Sequence, residues 1–439
     1  MKVEGASFTV VGAARSGLAA ANYLARHGAL VRLVDHNDDL ARPDGLHASV
    51  EFAKGTNAVR VGDVAILSPG IPEVSPVRAE IEATASEAIG EMELFGRLCP
   101  SPIIAVTGTD GKSTVTTMIG AILREQGLET FVGGNLGNPL TTDLDKMSAS
   151  SVAVAEVSCF QLTSCHTFRP KVAVVTNIAV DHVDYHGSFE AYQAAKRRVA
   201  RSMAGGDTLV LNGDDPRIAM WSLNTDANIV RFSVSGNATA QARYADDALW
   251  LGDEKLIDRA ELPLLGDHNV ANALAASLAA QSFGAETEVI RRALAGYEAL
   301  PHRLRAVATV GGVRWINDSK ATNPNAAGAA LRSMVAPTIL LAGGSVKEAD
   351  FRELGTLISE RTKAAILFGE TREALAAAIS ASHPTLIVSG IEEAVAQARR
   401  LAESGDVVLL SPACASYDQF RSYAHRGEVF EALVRGLRS

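Results

Sequence analysis

Residues 106–114 read Val-Thr-Gly-Thr-Asp-Gly-Lys-Ser-Thr and follow the apolar run Ile103-Ile104-Ala105-Val106. That order predicts a strand, a glycine-rich turn and a helix whose first residues are Lys112, Ser113 and Thr114. Backbone N–H groups around Gly108, Thr109, Asp110 and Gly111, together with the helix N-terminus, would surround phosphate oxygens. Lys112 would neutralise the terminal phosphates, and the Ser113 hydroxyl would ligate Mg²⁺. The loop is shorter than G-x-x-x-x-G-K-[ST], because Val106 stands where the first glycine belongs. An ordinary strand-to-helix turn therefore stays open at this point.

Downstream residues supply what such a cradle needs. The apolar run Val152 to Ala155 delivers Glu156 at its end, where a carboxylate beside a phosphate loop holds Mg²⁺. A second run, Val172 to Thr176, leads into Asn177-Ile178-Ala179-Val180-Asp181-His182-Val183-Asp184-Tyr185-His186-Gly187. Two histidines and two aspartates just past a strand are dense for a structural loop. Their spacing fits no zinc pattern, so they read as a magnesium and phosphate environment. An amphipathic helix over 189–203 follows and carries Lys196. Periodicity alone puts that lysine on a solvated face.

These residues need a scaffold, and the chain marks one. Its 439 residues suffice for about three domains. Proline-marked joints at Cys99-Pro100-Ser101-Pro102 and Leu300-Pro301-His302 divide it into 1–98, 99–300 and 301–439. The first segment opens βαβ: Phe8 to Val11, then Gly12-Ala13-Ala14-Arg15-Ser16-Gly17, an alanine-rich helix, and Leu30 to Val34 ending at Asp35. A further strand, Val64 to Leu67, breaks at Ser68-Pro69-Gly70. This is a dinucleotide-type fingerprint with Ala14 in place of the middle glycine. It fits a pyrophosphate site with Asp35 on a ribose hydroxyl, and equally a helix packed tightly on a sheet. Past Arg231, short strands with Gly, Asn and Asp turns predict an antiparallel patch, and Gly266 to Asn272 opens another helix. The last segment alternates strand and helix, with strands at 313–316, 338–342, 365–368, 386–388 and 407–410. Polar clusters at 317–323, 343–347 and 411–416 fall at strand carboxyl ends, where open α/β sheets bind ligands.

Composition narrows the class. A net charge of −9 argues against nonspecific nucleic-acid binding. Four cysteines with no C-x-x-C pair suit a reducing cytoplasm. No signal segment and no stretch long enough to span a bilayer stands out, so a cytoplasmic chain without membrane insertion is expected. Small-molecule substrates and a monomer are the expected partners and state.

Taken in order, these motifs resemble the Mur ligase family. The family's phosphate loop, T-G-[ST]-[ND]-G-K-[ST], stands here as Thr107 to Ser113, and its short form is the family's own. Pro301-His302-Arg303, residues 315–323 (Trp-Ile-Asn-Asp-Ser-Lys-Ala-Thr-Asn) and Ser411 to Ser416 with Asp418-Gln419-Phe420 look like the D-glutamate-adding branch. The resemblance implies an α/β chain of three domains. They are a Rossmann-like N-terminal domain for a UDP substrate, a central P-loop-type ATP domain with an antiparallel patch, and a Rossmann-like C-terminal domain for the amino acid. It implies that ATP phosphorylates the carboxylate of UDP-N-acetylmuramoyl-L-alanine and that the D-glutamate amine attacks the acyl phosphate.

By the same resemblance, Lys112, His182 and Lys196 are catalytic, Lys196 as a carbamate, which requires a neutral amine. Two Mg²⁺ ions would be held by Ser113, Glu156, His182 and carbamylated Lys196. ATP would also meet His268, Asn272, Arg303, Asp318 and Lys320. The UDP substrate would meet Gly12, Arg15, Asp35, Ser68, Asn135, Ser158 and His182. D-Glutamate would meet Thr322, Lys347 and Ser416, with Tyr417 and Tyr423 where some relatives carry leucine and phenylalanine. Another amide ligase of the superfamily, a nicotinamide-dependent dehydrogenase and a non-catalytic ATP-binding regulator are the alternatives.

Overall fold

The computed structural model describes residues 1–219, 221, 225–345 and 350–437. Three sheets organise the chain. The first is parallel, in the order β3-β2-β1-β4-β5, from β1 (Ser7–Val11), β2 (Leu30–Asp35), β3 (Glu51–Lys54), β4 (Val64–Leu67) and β5 (Glu87–Gly90). Neither β3 nor β5 was expected from sequence. Both are four-residue edge strands, and β3 has no fully buried side chain, so neither carries the apolar run that marked β1 and β4.

The second sheet holds β6 (Ile103–Thr107), β7 (Thr130–Gly134), β8 (Val152–Glu156), β9 (Val172–Val175), β10 (Thr208–Asn212), β11 (Asn228–Ser233), β12 (Ala242–Ala245), β13 (Ala248–Leu251) and β14 (Glu254–Asp258). Its order is β14-β13-β12-β11-β10-β9-β6-β8-β7. Strands β6 to β12 pair parallel, and only the β12-β13-β14 meander is antiparallel. The antiparallel patch therefore starts later than expected, because β11 extends the parallel sheet. Every residue of β6 is buried, as its apolar run demands of a strand covered on both faces.

The third sheet comprises β15 (Arg305–Val310), β16 (Val313–Asn317), β17 (Thr338–Gly343), β18 (Ala364–Phe368), β19 (Thr385–Ile387) and β20 (Val407–Leu410), in the order β15-β16-β20-β17-β18-β19. Only β15 runs antiparallel, an edge strand that sequence reasoning missed. All five anticipated strands are present within a residue or two.

By packing, the chain forms two compact units. One holds Met1–Leu262 and Val270–Tyr297, with the first two sheets; the other holds Pro263–Asn269 and Glu298–Ser439. Within the first unit, the helix Glu91–Leu98 anchors one sheet to the other. Glu93, fully buried, accepts N–H groups of His166 (3.0 Å), Thr167 (2.9 Å) and Phe168 (2.8 Å). Among the described residues no helix is long and apolar enough to cross a membrane.

Candidate functional site

The loop between β6 and the helix Lys112–Glu125 is built from backbone conformations that side chains resist. Gly108 has φ +140°, and an added Cβ would lie 1.9 Å from Thr176 Oγ1; Gly111 has φ +80°, and its Cβ would lie 2.3 Å from Asn272 Oδ1. Only glycine fits either place. The loop is held from β9's exit: Thr109 N–H donates to Asn177 O (2.9 Å), Asp110 N–H to Asn177 Oδ1 (2.9 Å) and Thr176 Oγ1 to Asp110 O (2.6 Å). Lys112 Nζ folds over the turn, donating to Thr109 O at 2.7 Å and Gly108 O at 3.1 Å. Ser113 and Thr114 are buried in the first turn of the helix.

Glu156 ends β8, in register with Val106 on the strand that enters the loop. Its Oε1 accepts from Asn135 Nδ2 at 2.5 Å, while Oε2 is buried without a hydrogen-bond partner. Thr107 Oγ1, on the adjacent strand end, is likewise buried and unpartnered. A buried carboxylate oxygen left unpaired beside a phosphate-type loop is costly unless a cation meets it. The unpaired Glu156 Oε2 thus suits a cation. Asn135 lies against Glu156 through both backbone and side chain. Ser158 closes a capping box with Gln161 and is buried.

Lys196 differs most from its periodicity-based expectation. Its helix, Phe189–Arg197, passes into a 3-10 turn at Arg198–Ala200, shorter than the expected span, as the chain tightens to i→i+3 bonds (Arg201 N–H to Arg198 O, 3.1 Å). The side chain is 1 % exposed, not solvated. Its Nζ donates to Gly108 O at 2.6 Å and lies 4.7 Å from the centre of the Tyr192 ring. Burial, and then the nearby Lys112, bring its pKa down to about 7. The buried amine is therefore available in the neutral form.

Tyr192 was not foreseen. One helical turn before Lys196, it shares a 2.7 Å hydrogen bond with Thr109 Oγ1 and joins helix to loop. His182 takes a left-handed backbone (φ 50°) and meets Phe160 edge-on at 4.6 Å. Burial holds its imidazole below the ordinary value, opposed by Asp181.

On the first sheet, Gly12 (φ +99°) touches Ser68 across the ends of β1 and β4, where a Cβ would come within 2.7 Å. Arg15 Nη1 donates to Gly137 O at 2.9 Å. Asp35 borders an open cleft with Ala13, Ala14 and His36. Both of its oxygens are engaged, with Ala13 N–H at 2.8 Å and Asn37 N–H at 3.0 Å, so it shapes the cleft's rim as well as facing it.

In the second unit, Asp318 is buried, accepts from Ser411 Oγ (2.8 Å) and Leu304 N–H (3.1 Å), and is pushed up to about 7 by burial. Lys320 Nζ lies 3.9 Å from the Tyr423 ring centre. His268 approaches Ser333 Oγ at 3.4 Å, and Arg303 is half-buried. Ser416 is buried, Thr322 partly exposed and Tyr417 75 % exposed. Lys347 lies outside the described residues. Asn272 belongs to the first unit, over Gly111.

A glycine-rich loop of phosphate-binding form, a buried carboxylate with one oxygen unpartnered and a buried lysine of lowered pKa meet on the second sheet, and comparison with known proteins gives the chain a family. Residues 106–280 match the Mur ligase middle domain, and 302–414 match the Mur ligase, glutamate ligase domain. The chain belongs to the Mur ligase family. Within that family it is 41 % identical to the UDP-N-acetylmuramoylalanine–D-glutamate ligase of Pelotomaculum thermopropionicum, covering 98 % of this chain and 97 % of that protein. It is 37 % identical to the enzyme of the same name from Syntrophus aciditrophicus, over 100 % and 99 % of the two chains. In fold it resembles the UDP-N-acetylmuramate-alanine ligase of Thermotoga maritima (TM-score 0.62, 17 % identity, 98 % and 99 % covered). It also resembles the Thermotoga maritima MurF ligase in complex with ADP (TM-score 0.63, 16 % identity, 98 % and 95 % covered).

Proposed function

We propose that this chain ligates D-glutamate to UDP-N-acetylmuramoyl-L-alanine with ATP, as a step in building peptidoglycan precursor. The observation that carries the reading is the full-length identity to D-glutamate ligases, of up to 41 %. The division of labour follows the segments: 1–98 for the UDP substrate, 99–300 for ATP, 301–439 for the amino acid.

The alanyl carboxylate attacks the γ-phosphorus of ATP; the β–γ bridging P–O bond breaks and ADP leaves. Like charges meet in that step, so cationic groups must gather around it. Lys112, folded over the loop, offsets phosphate charge, and the Gly108 and Gly111 turns present N–H groups to it. Ser113, Glu156, His182 and, once carbamylated, Lys196 are the residues suited to two Mg²⁺ ions, which when bound supply electrostatic stabilisation of the transferring phosphoryl group. The D-glutamate amine then attacks the acyl carbon, releasing phosphate and a proton. Thr322, Lys347 and Ser416 orient the two carboxylates of D-glutamate, with Tyr417 and Tyr423 beside them. His268, Asn272, Arg303, Asp318 and Lys320 serve ATP, and Gly12, Arg15, Asp35, Ser68, Asn135 and Ser158 serve the UDP substrate. We place the enzyme in the cytoplasm as a monomer.

The test is phosphate release from ATP with UDP-N-acetylmuramoyl-L-alanine present. D-Glutamate should stimulate it, and L-alanine, L-lysine and diaminopimelate should not. Stimulation by one of those instead would move the chain to another branch.

A further inference from the structure

Beyond the residues assigned above, Tyr185 joins the turn that follows β4 to the segment that carries His182. Its phenol oxygen lies 2.9 Å from Pro69 O and 2.9 Å from Ile71 O. One O–H proton is thus shared between two carbonyls of the turn that follows β4. Ser68 organises that same turn: Ile71 N–H closes onto Ser68 O at 3.1 Å, and Gly70 N–H approaches Ser68 Oγ at 3.3 Å. At its other end Tyr185 belongs to the short helix that starts after His182, and its N–H donates to His182 O at 3.2 Å. A single ring, Phe160, meets both side chains edge-on, Tyr185 at 4.4 Å and His182 at 4.6 Å.

We infer that Tyr185 is a positioning residue that registers the Ser68–Ile71 turn against His182. This rests on the reading that Ser68 meets the UDP substrate and His182 stands at the phosphoryl site. The substrate is held at its nucleotide end by the first sheet and reacts at the second. Attack requires the carboxylate within about 3.5 Å of phosphorus, and a misplacement of about 1 Å can cost on the order of a hundredfold in rate. Some contact must therefore fix the turn to the reacting loop. The phenol, two carbonyls and the shared Phe160 ring form that contact. Arg198 Nη2 to Glu73 Oε1 (2.7 Å) and the buried Arg78 Nη1 to Ser164 Oγ (2.9 Å) also join the two sheets' parts here, and neither bond includes His182.

Tyr185→Phe keeps the ring and removes only the O–H. It should raise KM for UDP-N-acetylmuramoyl-L-alanine roughly two- to tenfold, the worth of one neutral hydrogen bond. It should also lower kcat, with KM for ATP unchanged and the melting temperature lowered by no more than about a few degrees. In a double-mutant cycle with Ser68→Ala the two losses should be less than additive, since both act through one turn. A fall in kcat alone with all KM values at parent level would mark lost active enzyme and overturn the inference. Strict additivity with Ser68→Ala would overturn it too. His182→Ala, assayed alongside, separates the two claims. Parent behaviour of Tyr185→Phe beside a crippled His182→Ala refutes only the coupling. Parent activity of His182→Ala refutes the site reading beneath it.

Discussion

Lys196 offers the sharpest test, because its helix periodicity and its burial say opposite things. Replace it with alanine. The parent amine sits 2.6 Å from Gly108 O with 1 % exposure, and burial brings its pKa down to about 7. At pH 8 such an amine is ~90 % neutral, whereas an ordinary lysine is under ~1 % neutral. Reaction with CO₂ needs the neutral form, so the folded site favours carbamylation on the order of a hundredfold over a surface lysine. On the carbamate reading the alanine variant loses an anionic oxygen donor beside the phosphate loop, and it leaves the space of three methylenes and the amine. Loss of such a metal-side group costs about ten- to a hundredfold. Phosphate release by Lys196→Ala should fall by at least that factor, and formate or acetate, which fit the space and restore the oxygens, should recover part of it. In the parent, ¹³CO₂ should give a carbamate carbon resonance that is absent from the variant. Full activity in Lys196→Ala, or a parent whose activity is unchanged in CO₂-free buffer with no carbamate signal, would refute the reasoning.

Lys112→Ala should abolish phosphoryl transfer while leaving the melting curve intact, since its partners are loop carbonyls rather than core. Near-normal ligation by that variant would remove it from the cradle. Gly111→Ala forces a Cβ to 2.3 Å from Asn272 Oδ1 at φ +80°, and should destabilise by about 1–3 kcal/mol with loss of ATP affinity, read by thermal melting and nucleotide titration. For Asp318, burial pushes the folded pKa up to about 7 while the unfolded value stays near 3.8, so the unfolded state sheds its proton first. Stability falls as pH rises from about 4 to 7 and stays level above; Asp318→Asn should therefore melt higher than the parent at pH 8, with the gain shrinking toward pH 4. Lys347→Ala should raise KM for D-glutamate by about a hundredfold with little change for ATP, because a carboxylate loses its cation; the reverse pattern would move Lys347 to the nucleotide side.

Chemistry that lies along one short stretch of chain is legible in the sequence itself. Ile103 to Thr114 carries strand, turn, cation and hydroxyl in consecutive residues, so composition and order suffice. Glu156 was equally legible, because an apolar run ending in a carboxylate places that carboxylate at a strand exit whatever the sheet order. Most strands with buried faces announced themselves by their apolar runs, though β7 and β10 were not expected, the latter despite buried Leu209, Val210 and Leu211. Edge strands β3, β5 and β15 did not, since half-exposed positions tolerate any residue. What the chain could not say in one dimension is who meets whom. Helical periodicity reports which side of 189–197 is apolar but not that Lys196 faces Gly108, and nothing near Gly111 signals the amide of Asn272 above it. Tyr185 reads as one more aromatic until the turn at Pro69 folds against it. Such contacts join residues far apart in sequence. Burial, and with it the shifted pKa values of Lys196 and Asp318, depends on how much of the rest of the chain packs around one atom, and that only the tertiary structure decides.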